Sequence, residues 1–212
     1  MKKIFFTLSL LLAVSLSTVE AQEDVKVRFG VTAGFGMTKW NGDYSSDFGT
    51  SFKPGFRLGG VAEMMLTPKW SVQPELLFSY EGTGTDLLGD ANAMYIKLPI
   101  LAYYNFQNIG PGQLSPGVGP YFAGGIGGKC DGESTLGYDG LAEKFDWGIQ
   151  IRAAYELQTL GVANLNGMYG FVGYEQGFTK TYNMGLLVGV GYKFQYNKWL
   201  KSAYNKGIFK YD

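Results

Sequence analysis

The sequence predicts an all-β chain: an eight-stranded antiparallel up-and-down transmembrane β-barrel with its apolar face turned outward. Three observations carry this. Apolar and polar residues alternate with a period of two along almost the whole chain after residue 25. The alternating runs are about 10 to 13 residues long, whereas ordinary strands average about 5 to 6 and membrane-crossing strands need roughly 9 to 11. The N-terminus carries an export pattern, and no later stretch is apolar enough for a membrane helix.

Composition narrows the chemistry. Of 212 residues, 17% are charged, against roughly 25% in an ordinary soluble domain. Lys+Arg and Asp+Glu are 18 each, so no basic excess points to nucleic acid. There is no histidine, which excludes imidazole-activated nucleophiles and histidine-liganded metals. Cys130 is the only cysteine, so neither an internal disulfide nor a cysteine-rich zinc site can form.

Residues 1–21 read as a secretory signal peptide. Lys2 and Lys3 precede an apolar run from Ile4 to Leu16, and Val19 and Ala21 occupy the small-residue cleavage positions before Gln22. The run is shorter than the ~20 residues of a membrane helix. No cysteine lies near the cleavage site, so the signal is not of the lipoprotein type.

The strands follow in order. Over Lys26–Trp40, Val27, Phe29, Val31, Ala33, Phe35 and Met37 alternate with Arg28, Gly30, Thr32, Gly34, Gly36 and Thr38. Phe56–Leu66, Ser71–Glu81, Tyr95–Phe106, Phe145–Leu157 and Met184–Phe194 repeat the pattern. Two glycine-rich runs, about Pro120–Lys129 and Tyr169–Phe178, complete eight strands, although their glycines blur which face is which. An even number of antiparallel strands can close on itself and leave no edge.

With a periplasmic N-terminus, the outer connections are Asn41–Pro54, Gly82–Met94, Cys130–Lys144 and Thr179–Asn183. The periplasmic ones are Thr67–Lys69, Gln107–Gly119 and Gln158–Met168, the last two long for their kind. Aromatic residues near strand ends suggest two girdles. The outer comprises Trp40, Phe56, Tyr80, Tyr95, Trp147 and Phe178; the inner comprises Trp70, Tyr104, Phe106, Tyr121, Tyr155, Tyr192 and Phe194.

The inward positions collect the charges. Arg28, Arg57, Glu63, Glu75, Lys97, Asp146, Arg152, Glu156 and Lys193 all fall on the polar face. An eight-stranded barrel is just wide enough for side chains to fill it, so these residues are expected to form a mutually paired lumen network. Arg57 and Arg152 are the expected partners of Glu63 and Glu75. A catalytic carboxylate pair or a proton path is the sharper alternative, and paired carboxylates alone support it weakly.

Other motifs fail. Ala123–Cys130 glances at a phosphate loop, but Ala123 replaces its first glycine, Cys130 replaces its hydroxyl residue, and no helix follows. Outer-loop acids such as Asp43, Asp47, Asp86, Asp131 and Asp139 lack calcium-loop spacing. No catalytic, cofactor-binding or metal-ligating residue is assigned.

Several segments together resemble the PorT-like outer-membrane β-barrel family. They are Lys53–Gly60, Trp70–Ser79, Tyr95–Leu101, Pro120–Gly127, Phe145–Gly148 and Gly189–Phe194. The resemblance covers about residues 25–194 and implies a barrel in a Gram-negative outer membrane. The family's namesake assists a protein-secretion system, and no catalytic residues carry over. Gly189, Tyr192 and Phe194 look like the assembly signal that usually ends such chains. Here 18 residues follow, Gln195–Asp212, with Lys198, Lys201, Lys206 and Lys210 among aromatics.

The expected organisation is therefore a signal peptide (1–21), a barrel (22–194) and a periplasmic tail (195–212). The expected role is non-enzymatic, structural or accessory to a surface or secretion assembly. Its expected contacts are outer-membrane lipid, the barrel-assembly machinery and a periplasmic or secretion-complex partner through the tail. The competing readings are a small outer-membrane enzyme, a narrow channel, and a soluble exported ligand-binding barrel. That last reading would need the apolar face inside.

Overall fold

A computed structural model describes residues 26–42, 49–85, 89–130, 133–136, 142–157 and 166–194. The signal segment and the tail 195–212 lie outside the described residues.

Eight strands form the wall: β1 (Lys26–Gly42), β2 (Thr50–Met65), β3 (Trp70–Thr85), β4 (Gly89–Tyr104), β5 (Gly112–Gly127), β6 (Phe145–Leu157), β7 (Met168–Gly177) and β8 (Thr181–Lys193). Each pairs antiparallel with its sequence neighbour, and β8 returns to pair with β1 from Gly30↔Lys193 to Gly42↔Thr181. The sheet is thus a closed up-and-down barrel. The end where β1 passes into β2 is called the upper end below; the sequence expectation places it outside the cell.

The apolar face points out. Phe29, Val31, Phe35, Leu58, Leu76, Ile151, Val172, Leu186, Val188 and Val190 are exposed, while the alternating polar residues are buried. This inverts a soluble fold and excludes the soluble carrier, whose apolar face would line the cavity. Among the described residues no helix is long and apolar enough to cross a membrane; this wall would cross with strands.

Several boundaries differ from the sequence expectation. The proposed outer loop Gly82–Met94 is mostly strand, because β3 runs to Thr85 and β4 starts at Gly89. The proposed inner connection Gln107–Gly119 is a tight hairpin: the short strand Phe106–Ile109 turns at Gly110 and Pro111, and β5 begins at Gly112. Its Gly and Pro content reads as loop, yet Pro116 faces outward opposite Ala153. Gly117 leaves the space occupied by the Tyr103 ring. Part of the outer connection Cys130–Lys144 is also ordered, as a two-residue ladder (Lys129–Cys130 with Glu133–Ser134) and a Leu136–Ala142 bridge.

Glycines and rings interlock inside. A Cβ at Gly117, Gly189 or Gly191 would collide with the rings of Tyr103, Phe171 and Tyr169 respectively. Each ring therefore lies across a neighbouring strand's glycine, which lets bulky groups share a narrow lumen. At the upper end β2 is bulged between Phe52 and Phe56, interrupting its ladder with β3. Thr38 of β1 spans the gap: its hydroxyl accepts from Gly82 N at 3.0 Å and donates to Gly82 O at 2.9 Å.

The wall predicts its own test. Leu76→Arg should destabilise the folded protein in vesicles by about 2 to 4 kcal/mol, and Leu76→Phe by far less, in a urea titration. Equal effects would mean that Leu76 does not face hydrocarbon.

Candidate functional site: the charged lumen

The strand period aims every second side chain inward, so charges from seven of the eight strands meet in one narrow space. They sort into levels.

At the lower end Arg28 of β1 and Glu63 of β2 are register partners. Arg28 Nε donates to Glu63 Oε2 at 2.8 Å, and Arg28 Nη2 donates to Glu156 Oε2 at 2.9 Å. Lys193 Nζ closes the square, at 3.1 Å from Glu63 Oε1 and 3.2 Å from Glu156 Oε2. The Ser71 hydroxyl donates to Glu63 at 3.2 Å.

In the middle Arg152 holds Glu75, with Nη2 to Oε2 at 3.1 Å, and Gln73 donates to the same carboxylate at 2.6 Å. The Arg152 guanidinium lies 4.3 Å from the centroid of the Phe171 ring. Around this pair pack Leu101, Tyr103, Ala154, Tyr169, Phe171 and Leu187, all buried.

Above them Arg57 donates through Nε to Ser79 at 2.9 Å and through Nη2 to Glu81 at 2.7 Å, and it is paired with Glu175. Lys97 Nζ reaches Glu175 at 2.8 Å and Glu81 at 2.5 Å. It also stands 4.9 Å over the Tyr121 ring. Asn183 donates to Glu175 at 3.0 Å.

The top is apolar. Trp40, Ala91, Ala93, Tyr95, Tyr121, Ala123, Cys130 and Ala142 form one buried cluster with Leu136 against it. The Lys129–Ser134 ladder extends from β4 through Ala91↔Cys130, and Leu136, bridged to Ala142, packs against the cluster.

Arg28, Arg57, Lys97, Arg152 and Lys193 face Glu63, Glu75, Glu81, Glu156 and Glu175, five against five, and the buried Asp146 stands outside these pairs. A buried charge without a partner costs several kcal/mol. Matched pairs therefore fill the lumen with polar atoms while leaving no net charge in the pairs. Each of these five glutamates is engaged by at least one cation. Among the described residues no group of three His, Cys, Asp or Glu is placed to hold a metal ion.

The pairing departs from the sequence expectation in three ways. Glu63 is held by Arg28 and Lys193, because Arg57 lies too far up the barrel and is engaged by Glu81 and Glu175. Asp146 joins no arginine. It sits at the upper end of β6 and accepts from the hydroxyls of Tyr121 and Thr179, each at 2.9 Å. Glu81 and Glu175 join the network beyond the expected residues. Glu175 sits on the glycine-rich β7, whose faces the sequence blurs, whereas alternation on β3 marks Glu81 as inward with Glu75.

The girdles also need correction. Trp40, Tyr95 and Tyr121 are buried inside the lumen. Alternation places Trp40 and Tyr95 there, since they share faces with Thr38 and Lys97, whereas Tyr121 lies on the glycine-rich run whose faces alternation does not resolve. Phe56, Trp147 and Phe178 above, and Trp70, Phe106, Tyr192 and Phe194 below, are exposed on the lipid side. Tyr192 and Phe194 of the proposed assembly signal stack edge to face, with centroids 5.2 Å apart. Phe194 N donates to Phe29 O at 2.6 Å, at the seam with β1. Gly189 faces inward under the Phe171 ring.

Residues 20–173 match the family described as outer membrane protein beta-barrel domain. The chain belongs to that family. Solved structures similar to it include Neisserial surface protein A, at 12% identity over 78% of this chain and 97% of that one, with a TM-score of 0.49. OprG from Pseudomonas aeruginosa is 15% identical over 80% of this chain and 97% of its own, TM-score 0.46. Outer Membrane Protein W of E. coli is 12% identical over 82% and 100%, TM-score 0.44. No curated protein sequence matches the chain. With the apolar face outward, membership in this family makes the chain an outer-membrane β-barrel protein.

The middle pair is the sharpest test of the lumen. Arg152→Met alone strands Glu75 and should cost about 3 to 5 kcal/mol. Adding Glu75→Leu should recover most of that loss in the same urea titration. Failure of the second substitution to recover stability would show that the pair is not what Arg152 contributes.

Proposed function

We propose that this chain is a non-enzymatic outer-membrane barrel that serves a surface or secretion assembly as an accessory, in the manner implied by its PorT-like resemblance. The observation that carries this reading is the filled lumen. Paired charges, interlocked rings and an apolar cluster occupy the lumen above a cavity of about 220 Å³ at the lower end. This disfavours the narrow channel, and it leaves the ends and the lipid-facing wall as the working surfaces. A chain without histidine lacks the usual general base, which supports the non-enzymatic reading.

The N-terminal segment acts as the export signal, and the upper end faces outside. The barrel-assembly machinery engages the last strand through Gly189, Tyr192 and Phe194. The lysine- and aromatic-rich segment 195–212 then hangs on the periplasmic side as the contact for a secretion-complex partner, as a basic amphipathic segment can.

Two measurements test this. Purified protein in planar bilayers should show no large, steady conductance; a stable open level would favour the channel. A chain ended after Asn197 should still insert and show the heat-modifiable gel shift of a barrel, while losing the partner recovered by crosslinking from native envelopes. Retention of that partner by the shortened chain would remove the tail from the proposal.

A further inference from the structure

The closing seam between β1 and β8 carries a feature that the sealed lumen does not use. On its outer surface Phe35 pairs with Val188 and Met37 with Leu186. These four apolar side chains are exposed and border a groove of about 260 Å³ over Gly36 and Leu187. Immediately above, the same face turns polar. Lys39 stands opposite Met184, and Asn41 stands opposite Tyr182. Alternation puts Lys39, Asn41 and Tyr182 on the lipid side, because Thr38, Trp40 and Asn183 are buried inside.

Lys39 has no carboxylate partner among the described residues, whereas Lys53 at the same end is paired with Asp90 at 2.7 Å. A cation on a lipid-facing wall is costly at the bilayer midplane and tolerable near the interface. Lys39 is the first charge above the apolar band on β1, which sets it at headgroup depth. Its long stem can lie along Met37 and Met184 while the ammonium reaches the interface. Asn41 and Tyr182 add an amide and a hydroxyl at the same level.

We infer that the upper β1–β8 seam is a binding site for a phosphorylated lipid of the surrounding leaflet, its acyl chain in the Phe35–Met37–Leu186–Val188 groove and its phosphate on Lys39 with Asn41 and Tyr182. Charge and shape agree on this occupant. The groove takes a hydrocarbon chain, and the donors directly above it take an anion joined to that chain. A protein partner would have to cover a wall that otherwise continues as the lipid-exposed belt. The inference rests on the proposed placement of the barrel in the outer membrane with its upper end outside.

Native mass spectrometry of the refolded full chain in mixed micelles tests it. The probes are lipid A, its dephosphorylated form and inorganic phosphate. Wild type should retain lipid A over the dephosphorylated lipid, and phosphate alone should not bind. Lys39→Gln should reduce lipid A retention about fivefold, the effect of one interfacial lysine. Leu186→Trp, which fills the groove and spares Lys39, should also reduce it. Lys69→Gln, at the opposite end, should leave it unchanged. Each variant is first checked for the heat-modifiable gel shift, so a folding failure is distinguished from a binding loss. Equal retention of the two lipids, or equal retention by wild type and Lys39→Gln, would overturn the site.

Discussion

In hydrocarbon a peptide group has no water to turn to, so every N–H and C=O of the wall must find a partner within the wall. The β1–β8 pairing, unbroken from Gly30↔Lys193 to Gly42↔Thr181, meets that demand for the two strands that would otherwise be edges. Once the ring is closed, each strand has a lipid side and a lumen side, and the period of two decides which residue goes where. The outward Val, Leu, Ile and Phe and the inward Arg, Lys and Glu follow from the same closure.

Closure also fixes how little room is left inside. With eight strands the lumen holds side chains and little else. Inward charges must then find partners within the lumen, because bulk solvent is not at hand; Asp146 finds the hydroxyls of Tyr121 and Thr179. The five cations and five glutamates meet this condition level by level, and rings stacked over glycines fill the remaining volume. The apolar cluster of Trp40, Tyr95, Tyr121 and Leu136 fills the upper end among the described residues. Replacing ion pairs by apolar groups of similar size is often neutral for stability. The consequence of this network is therefore the obstruction of the lumen.

The sequence by itself determined the class of fold, the number of strands and the face of nearly every residue in the strongly alternating runs, because side-chain direction in a strand depends only on parity. Arg28, Arg57, Glu63, Glu75, Lys97, Asp146, Arg152, Glu156 and Lys193 could be put on the inner face on that ground alone. Parity also marks Trp40 and Tyr95 as inward, beside Thr38 and Lys97, although both lie near strand ends. What only the tertiary structure decided is who meets whom. Strand stagger sets the height of each side chain, so Arg57 finds Glu81 and Glu175 rather than Glu63, and Asp146 is left to Tyr121 and Thr179. The glycine-rich β5 and β7 were hard to read because glycine shows no face. Gly117 of β5 makes sense only beside the Tyr103 ring of β4, and the Tyr169 and Phe171 rings of β7 only over Gly191 and Gly189 of β8. Parity is a local property of the chain, whereas height and neighbourhood in a closed barrel belong to the whole ring.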